Sequence, residues 1–217
     1  MSYSELLQLN KSGDGVAQLT LNRPEDRNAL SLDLRTNLTD CLVDLSHDPT
    51  IDAVLLSGAG EVFCAGFDLK ELNDGDATQI FAAARRYHHV VHTFRKPIIA
   101  AVNGPAMAGG MDLACMCDIR LGCSNSQFGQ PQVRMGISAA YDLLRSITDE
   151  STARYLCLTG NKLSATEAFN RGLLSALYND GDELRDAALS CAAAIAKAKS
   201  GKAMKVRFLA EQPNLYD

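Results

Sequence analysis

The stretch KPIIAAVNGPAMAGGMDLACMCDIRL, residues 96–121, decides the fold. IIAAVN (98–103) is a short apolar run bounded by Lys96-Pro97 and Gly104-Pro105, the pattern of a buried strand. Gly104, Pro105, Gly109 and Gly110 then surround a short turn, where missing Cβ atoms let backbone approach a ligand closely. The chain enters a second apolar stretch, MDLACM (111–116), and returns as a strand, DIRLGC (118–123). Strand, turn, short helix and strand in so few residues predict an α/β fold with crossover connections.

The same alternation precedes this stretch. VAQLTL (16–21) and IDAVLLS (51–57) read as strands around a helix from about Ser31 to His47. In that helix Leu34, Leu38, Leu42 and Leu45 recur at spacings of three and four, a core face, with Ser31 placed to cap and Asp33 in the first turn. FCAGFDLKEL (63–72) is followed by the polar NDGDATQ (73–79), and then by a helix that ends near Arg95, because Lys96 precedes a proline. Helices are expected at about 139–147, 150–158, 164–171, 182–199 and 202–210, the third with a Ser164/Glu167 capping box and Gly172 as its stop. QPNLYD (212–217) reads as a loop or a chain cut short. With no linker or fixed-period repeat, residues 1–217 are expected to form one domain.

Composition narrows the function classes. No apolar run approaches the roughly 18 residues of a membrane span, and the opening MSYSELLQLNKSGDG lacks the features of a secretory signal, so a cytoplasmic protein is expected. A net charge of −5 argues against a general nucleic-acid surface. Seven cysteines without a CxxC pair suit reduced, mostly buried thiols.

Two glycine-containing segments, around 63–72 and 103–114, each follow an apolar strand and enter a short helix, presenting free backbone N–H groups at a helix start. Two such ends can converge on one oxygen and stabilise charge developing there. From spacing alone, plain tight turns are an equally good reading. GAGEVF (58–63) lacks the third glycine of a dinucleotide fingerprint, and neither a phosphate-binding GxxxxGK[ST] nor a GxSxG nucleophile elbow occurs. In RRYHHVVH (85–92), His88 and His92 (i,i+4) and His89 and His92 (i,i+3) share a helix face, but no third ligand completes a metal site; a packed or solvated helix face is the expected reading, and a histidine reaching the pocket ranks above metal.

Taken together and in order, NRPEDRNALS (22–31), FCAGFDLKEL, KPIIAAVNGPAMAGGMDLACMCDIRL, FGQPQVRMGI (128–137) and LTGNKLSATEAFNRGLL (158–174) resemble the enoyl-CoA hydratase/isomerase, or crotonase, superfamily over nearly the whole chain. The resemblance implies a spiral of ββα units with a helical C-terminal region, commonly assembled as trimers, and an acyl-CoA thioester as partner with coenzyme A as part of the substrate and no separate cofactor. It implies an oxyanion hole of the Phe67 and Gly109 N–H groups. It also places CoA along Ala65, Phe67, Asp68, Leu69 and Lys70, beside Arg27 and Ala29, with Lys70 as a charge partner for phosphate; a solvated surface lysine is the alternative.

The acid/base positions depart from the family pattern. Its two glutamates fall on Asp112 and Gln132, and a glutamine amide can neither accept nor deliver a proton, which argues against standard two-glutamate hydration. The family's PGAGGTQRL run is here ISAAYDLLRSI (137–147), which offers Asp142 as a second candidate carboxylate and Tyr141 as a donor; an exposed pair with Arg145, and packing, are the respective alternatives. The C-terminal helical region is shorter than the pattern implies. The competing class is therefore a degenerate acyl-CoA-binding or assembly subunit.

Overall fold

Leu7–Lys11 (β1) and Val16–Leu21 (β2) open the fold as an antiparallel pair in the computed structural model, which describes residues 5–74, 77–198 and 200–215. Outside these fall Met1–Ser4 of the opening stretch, Gly75 and Asp76 of the polar stretch, Lys199 of the expected helix and the final Tyr216 and Asp217. Ser31 caps the helix Leu32–His47 (α1), its hydroxyl accepting from Leu34 N–H at 3.2 Å. The four leucines at positions 34, 38, 42 and 45 are buried, as their spacing predicts.

From here the chain repeats one manoeuvre. Ala53–Gly58 (β3) joins the main sheet parallel to β2, and the chain then turns so that Cys64 reaches a second sheet before entering Leu69–Asp74 (α2) and Ala77–His92 (α3). In the next turn Ile98–Val102 (β4) lies in the main sheet and Pro105–Met107 (β5) in the second, followed by Gly109–Met116 (α4). A third turn places Ile119–Cys123 (β6) and Gln127–Gly129 (β7) in the same way. Cys64 bridges Ala106 and β5 pairs parallel with β7, so successive turns stack as a spiral of ββα units.

The remaining chain is mostly helical: Tyr141–Ile147 (α5), Glu150–Thr159 (α6), Ala165–Asn170 (α7), Gly181–Lys197 (α8) and Gly201–Glu211 (α9), with short strands Lys162–Ser164 (β8) and Ala176–Tyr178 (β9). The main sheet runs β1-β2-β3-β4-β6-β9 and the second β5-β7-β8. Both faces of the main sheet are covered, which explains strands as apolar as IIAAV. Val54, Leu56, Ala100 and Val102 face α1 and α3, while Leu55, Ile99 and Ala101 pack on α8 through Leu184, Ala188, Ala192 and Ala196. No helix among the described residues is long and apolar enough to cross a membrane.

Three details differ from the sequence expectations. The α3 helix stops at His92 rather than near Arg95, and Lys96 is buried with its ammonium donating to Leu45 O and Asp48 O at the end of α1. The strand expected from Ile51 begins at Ala53. Strands β1, β5, β7, β8 and β9 were not expected, being three to five residues long.

Asn28 is a small polar side chain that ties two loops together. It is fully buried at a positive φ of 54°, accepts from Arg23 N–H at 2.9 Å, and donates to Ala59 O and Val62 O at 2.9 and 2.7 Å. It thereby ties the 23–29 loop to the turn after β3. Asn28→Ala leaves three partly buried groups without their partner, so a loss of about 2 kcal/mol is expected in urea unfolding.

Candidate active site

The site forms where neighbouring strands of the second sheet end. Gly66 has φ +101°, and a Cβ there would lie 2.9 Å from Met107 O and 3.1 Å from Gly109 N. A Cβ on Gly109 would lie 3.5 Å from Phe67 N and 2.9 Å from Phe67 Cδ2. These contacts bring the Phe67 and Gly109 amides side by side with no side chain between them. Neither N–H donates to another described residue; Gly109 is the first residue of α4, where N–H groups lack intrahelical acceptors and carry the helix's partial positive charge. Ala108, at φ 50° and ψ −125°, holds a conformation that costs a non-glycine residue roughly 1–3 kcal/mol and sets the entry into the helix.

In front of the two amides is a cavity of about 350 Å³ lined by both residues and by Ala65, Leu69, His88, Ala108, Asp112 and Gln132, among others. Asp112 lies in the first turn of α4 and is only 8% exposed. Burial pushes its carboxyl up to about 7, against a smaller opposing effect of the hydrogen bond from Gln130. Gln130 Nε2 donates to Asp112 Oδ1 at 2.7 Å, and Gln132 Nε2 donates to Gln130 Oε1. With Asp112 ionised the direction of this chain follows: Gln130 gives its amide to the carboxylate and accepts through its oxygen, so Gln132 turns its own oxygen away. Gln132 Oε1 is buried without a donor among the described residues. The arrangement offers an incoming molecule two backbone donors, one carboxyl near neutrality and one amide acceptor.

His88 also lines the cavity, edge-on to Phe67 with ring centroids 5.8 Å apart. Burial, and then the Arg35 charge, hold it down to about 4, so it is neutral at pH 7. His92 instead turns toward Pro213 O, His89 is exposed, and no group of three or more potential metal ligands occurs among the described residues.

Other positions named from the sequence fall along one rim. Ala65 N–H donates to Arg27 O at 3.0 Å, and Arg23, which the sequence reading passed over, donates to Ala29 O at 2.7 Å and to Asp68 Oδ2 at 3.2 Å. Asp68 Oδ1 accepts from Lys70 N–H at 3.0 Å, so its carboxylate organises the loop. Leu69 is an exposed rim residue, and Lys70 is 86% exposed, 4.0 Å from Asp26. Asp142 is not brought to the cavity. Because α5 buries Leu143 and Leu144, Asp142 faces solvent and pairs with Arg145 at 3.1 Å. Tyr141 likewise donates to Glu150 at 3.1 Å. Gln130 was missed, although FGQPQ places it directly after β7, the strand beside β5.

The fold and site define an α/β spiral in which Phe67 and Gly109 line an apolar cavity together with a buried carboxyl. The chain belongs to the enoyl-CoA hydratase/isomerase family, whose profile matches residues 11–212. It is 33% identical to a crotonyl-CoA hydratase of Syntrophomonas wolfei, covering 81% of this chain and 69% of that one. Identity to the mitochondrial Delta(3,5)-Delta(2,4)-dienoyl-CoA isomerase of Mus musculus is 32%, over 88% and 64% of the respective chains. The structure of DspI from Pseudomonas aeruginosa superposes with a TM-score of 0.90 at 29% identity, covering 99% of this chain and 91% of that one.

Proposed function

We propose that the chain binds an acyl-CoA thioester with its carbonyl oxygen between the Phe67 and Gly109 N–H groups, and that Asp112 moves the proton at the neighbouring carbon. Its support is that Phe67 and Gly109, whose N–H groups have no acceptor among the described residues, line one cavity with a buried carboxyl. In hydration of an enoyl thioester, ionised Asp112 takes one proton from water as its oxygen bonds to Cβ. The Cα=Cβ electron pair moves toward the thioester oxygen, which gains negative charge between the two N–H donors. Asp112 then returns the proton to Cα, giving the 3-hydroxyacyl thioester. Gln132 Oε1 accepts the hydrogen bond of the water's second hydrogen and transfers nothing. One carboxyl serves both transfers, and dehydration is the reverse.

Arg27 and Lys70 are exposed, the first bonded through its carbonyl to the cavity-lining Ala65 and the second next in sequence to the cavity-lining Leu69, and they are the proposed partners of the CoA phosphates. Replacing both with alanine is expected to raise KM for enoyl-CoA about threefold to tenfold, leaving KM for an enoyl-pantetheine thioester unchanged. A panel of enoyl-CoA and 3-hydroxyacyl-CoA chain lengths, followed by the enoyl absorbance, tests the reaction. Binding without turnover on every member would remove the catalytic part of the reading. Met204, Val206 and Phe208 are exposed on α9, which favours a homo-oligomer, such as a trimer; a mass of 23.4 kDa by light scattering would exclude it. Seven free cysteines suit the reducing cytoplasm.

A further inference from the structure

Arg35 is the largest side chain that the fold buries completely, at 1% exposure. Its Nη1 donates to Leu30 O at 2.8 Å, whereas Nε and Nη2 have no hydrogen-bond partner among the described residues. The nearest carboxylate, Glu71, lies 3.9 Å from Nη2, is one-third exposed, and gives both oxygens to Leu32 N–H at 3.0 and 2.7 Å. The cation is thus incompletely neutralised, and burying it is costly where methionine would fill the volume. It stacks on Phe67, with the guanidinium carbon 4.6 Å from the ring centroid, while the same ring abuts Gly109. Phe67 is therefore wedged between the cation and the start of α4.

We propose that Arg35 is an electrostatic positioning residue, a fixed positive charge behind Phe67 that stabilises the enolate oxygen forming between the Phe67 and Gly109 N–H groups without touching the substrate. This rests on the oxyanion-hole reading above. Asp68, Glu71, Tyr87 and His88 are the titratable groups around the guanidinium. His88 lines the cavity, and Arg35's charge helps hold it neutral, so the field of Arg35 reaches the substrate side. Across an effective dielectric of about 20, a unit charge within about 10 Å of a titrating group changes its ionisation constant tenfold or somewhat more.

Acetoacetyl-CoA, whose enolate has its own ultraviolet band, reports this directly when its ionisation is titrated on the bound protein. Wild type is expected to lower the pH at which the bound ligand ionises. Arg35→Met should raise that pH by about one unit, Arg35→Lys should keep most of the lowering, and Glu71→Gln, which removes the countercharge, should lower it further. Butyryl-CoA affinity should change less than about threefold throughout. Equal shifts for Met and Lys, or a rise for Glu71→Gln, would overturn the role of Arg35 alone. If Arg35→Met does not fold, the direction of the Glu71→Gln shift decides. No lowering in wild type would instead strike the oxyanion hole and take this proposal with it.

Discussion

Asp112→Asn is expected to lower kcat by a factor of about 10²–10⁴ while changing KM little, because asparagine keeps the volume and the Gln130 hydrogen bond but cannot carry a proton. Since the ionised carboxylate starts the cycle in either direction, wild-type activity should rise with pH through about 7, where burial has placed Asp112. Gln130 donates to that carboxylate and favours its charged form. Gln130→Met should therefore move the acid limb to higher pH, a displacement that loss of packing alone would not produce. Stability carries the opposite sign. The folded carboxyl titrates above its ordinary value of 3.8, so the native state binds the proton more tightly than the unfolded chain. Its stabilising contribution is full below pH 3.8 and is lost as pH climbs to about 7. Relative to wild type, Asp112→Asn should consequently melt higher at pH 8 than at pH 5. Equal kcat in wild type and Asp112→Asn would remove the acid/base role altogether.

How far the sequence reveals this site depends on whether each residue acts through its own chain pattern or through a distant partner. The two glycine turns are visible because an apolar strand followed by glycine and a short helix is a local pattern, and the leucines of α1 are visible through their period. Asp112 is found by its place in the motif. Its environment is not, since the carboxyl is perturbed by a cavity assembled from α3, α4 and the segment after β7. Gln130 and Gln132 are two residues apart, yet their direction of hydrogen bonding is set by Asp112, eighteen positions from Gln130. Asp142 shows the reverse case. A carboxylate in the expected neighbourhood is carried to solvent because the apolar pair after it must face inward. Arg35 gives no signal at all, since an arginine among α1 leucines reads as a polar residue until Leu30, Phe67 and Glu71 are brought against it. The short strands of the second sheet were missed for the same reason: three residues carry no period.

Gly110→Ala should nearly abolish activity and cost several kcal/mol of stability, although it adds a single methyl group in a helix, where alanine is ordinarily the better residue. An alanine Cβ at position 110 would lie 2.1 Å from Cys64 O and 2.7 Å from Cys64 C, both backbone atoms in the neighbouring strand end. No rotamer relieves such a clash, so α4 must withdraw from the Cys64–Phe67 segment by about an ångström. That movement separates the Gly109 N–H from the Phe67 N–H, and misplacing a reacting group by 1 Å costs about a hundredfold. Loss of the donor pair, worth about 10²–10³ for a single oxyanion-hole donor, acts on the same step. Gly181→Ala is the matched control, a glycine in a helix with no atom within 4 Å of its added Cβ; it should leave kcat unchanged and stability equal or slightly higher. Thermal melting with kcat on one enoyl-CoA separates the two effects. If Gly110→Ala retained wild-type turnover, the close approach of α4 to the preceding strand end would not be what assembles the site.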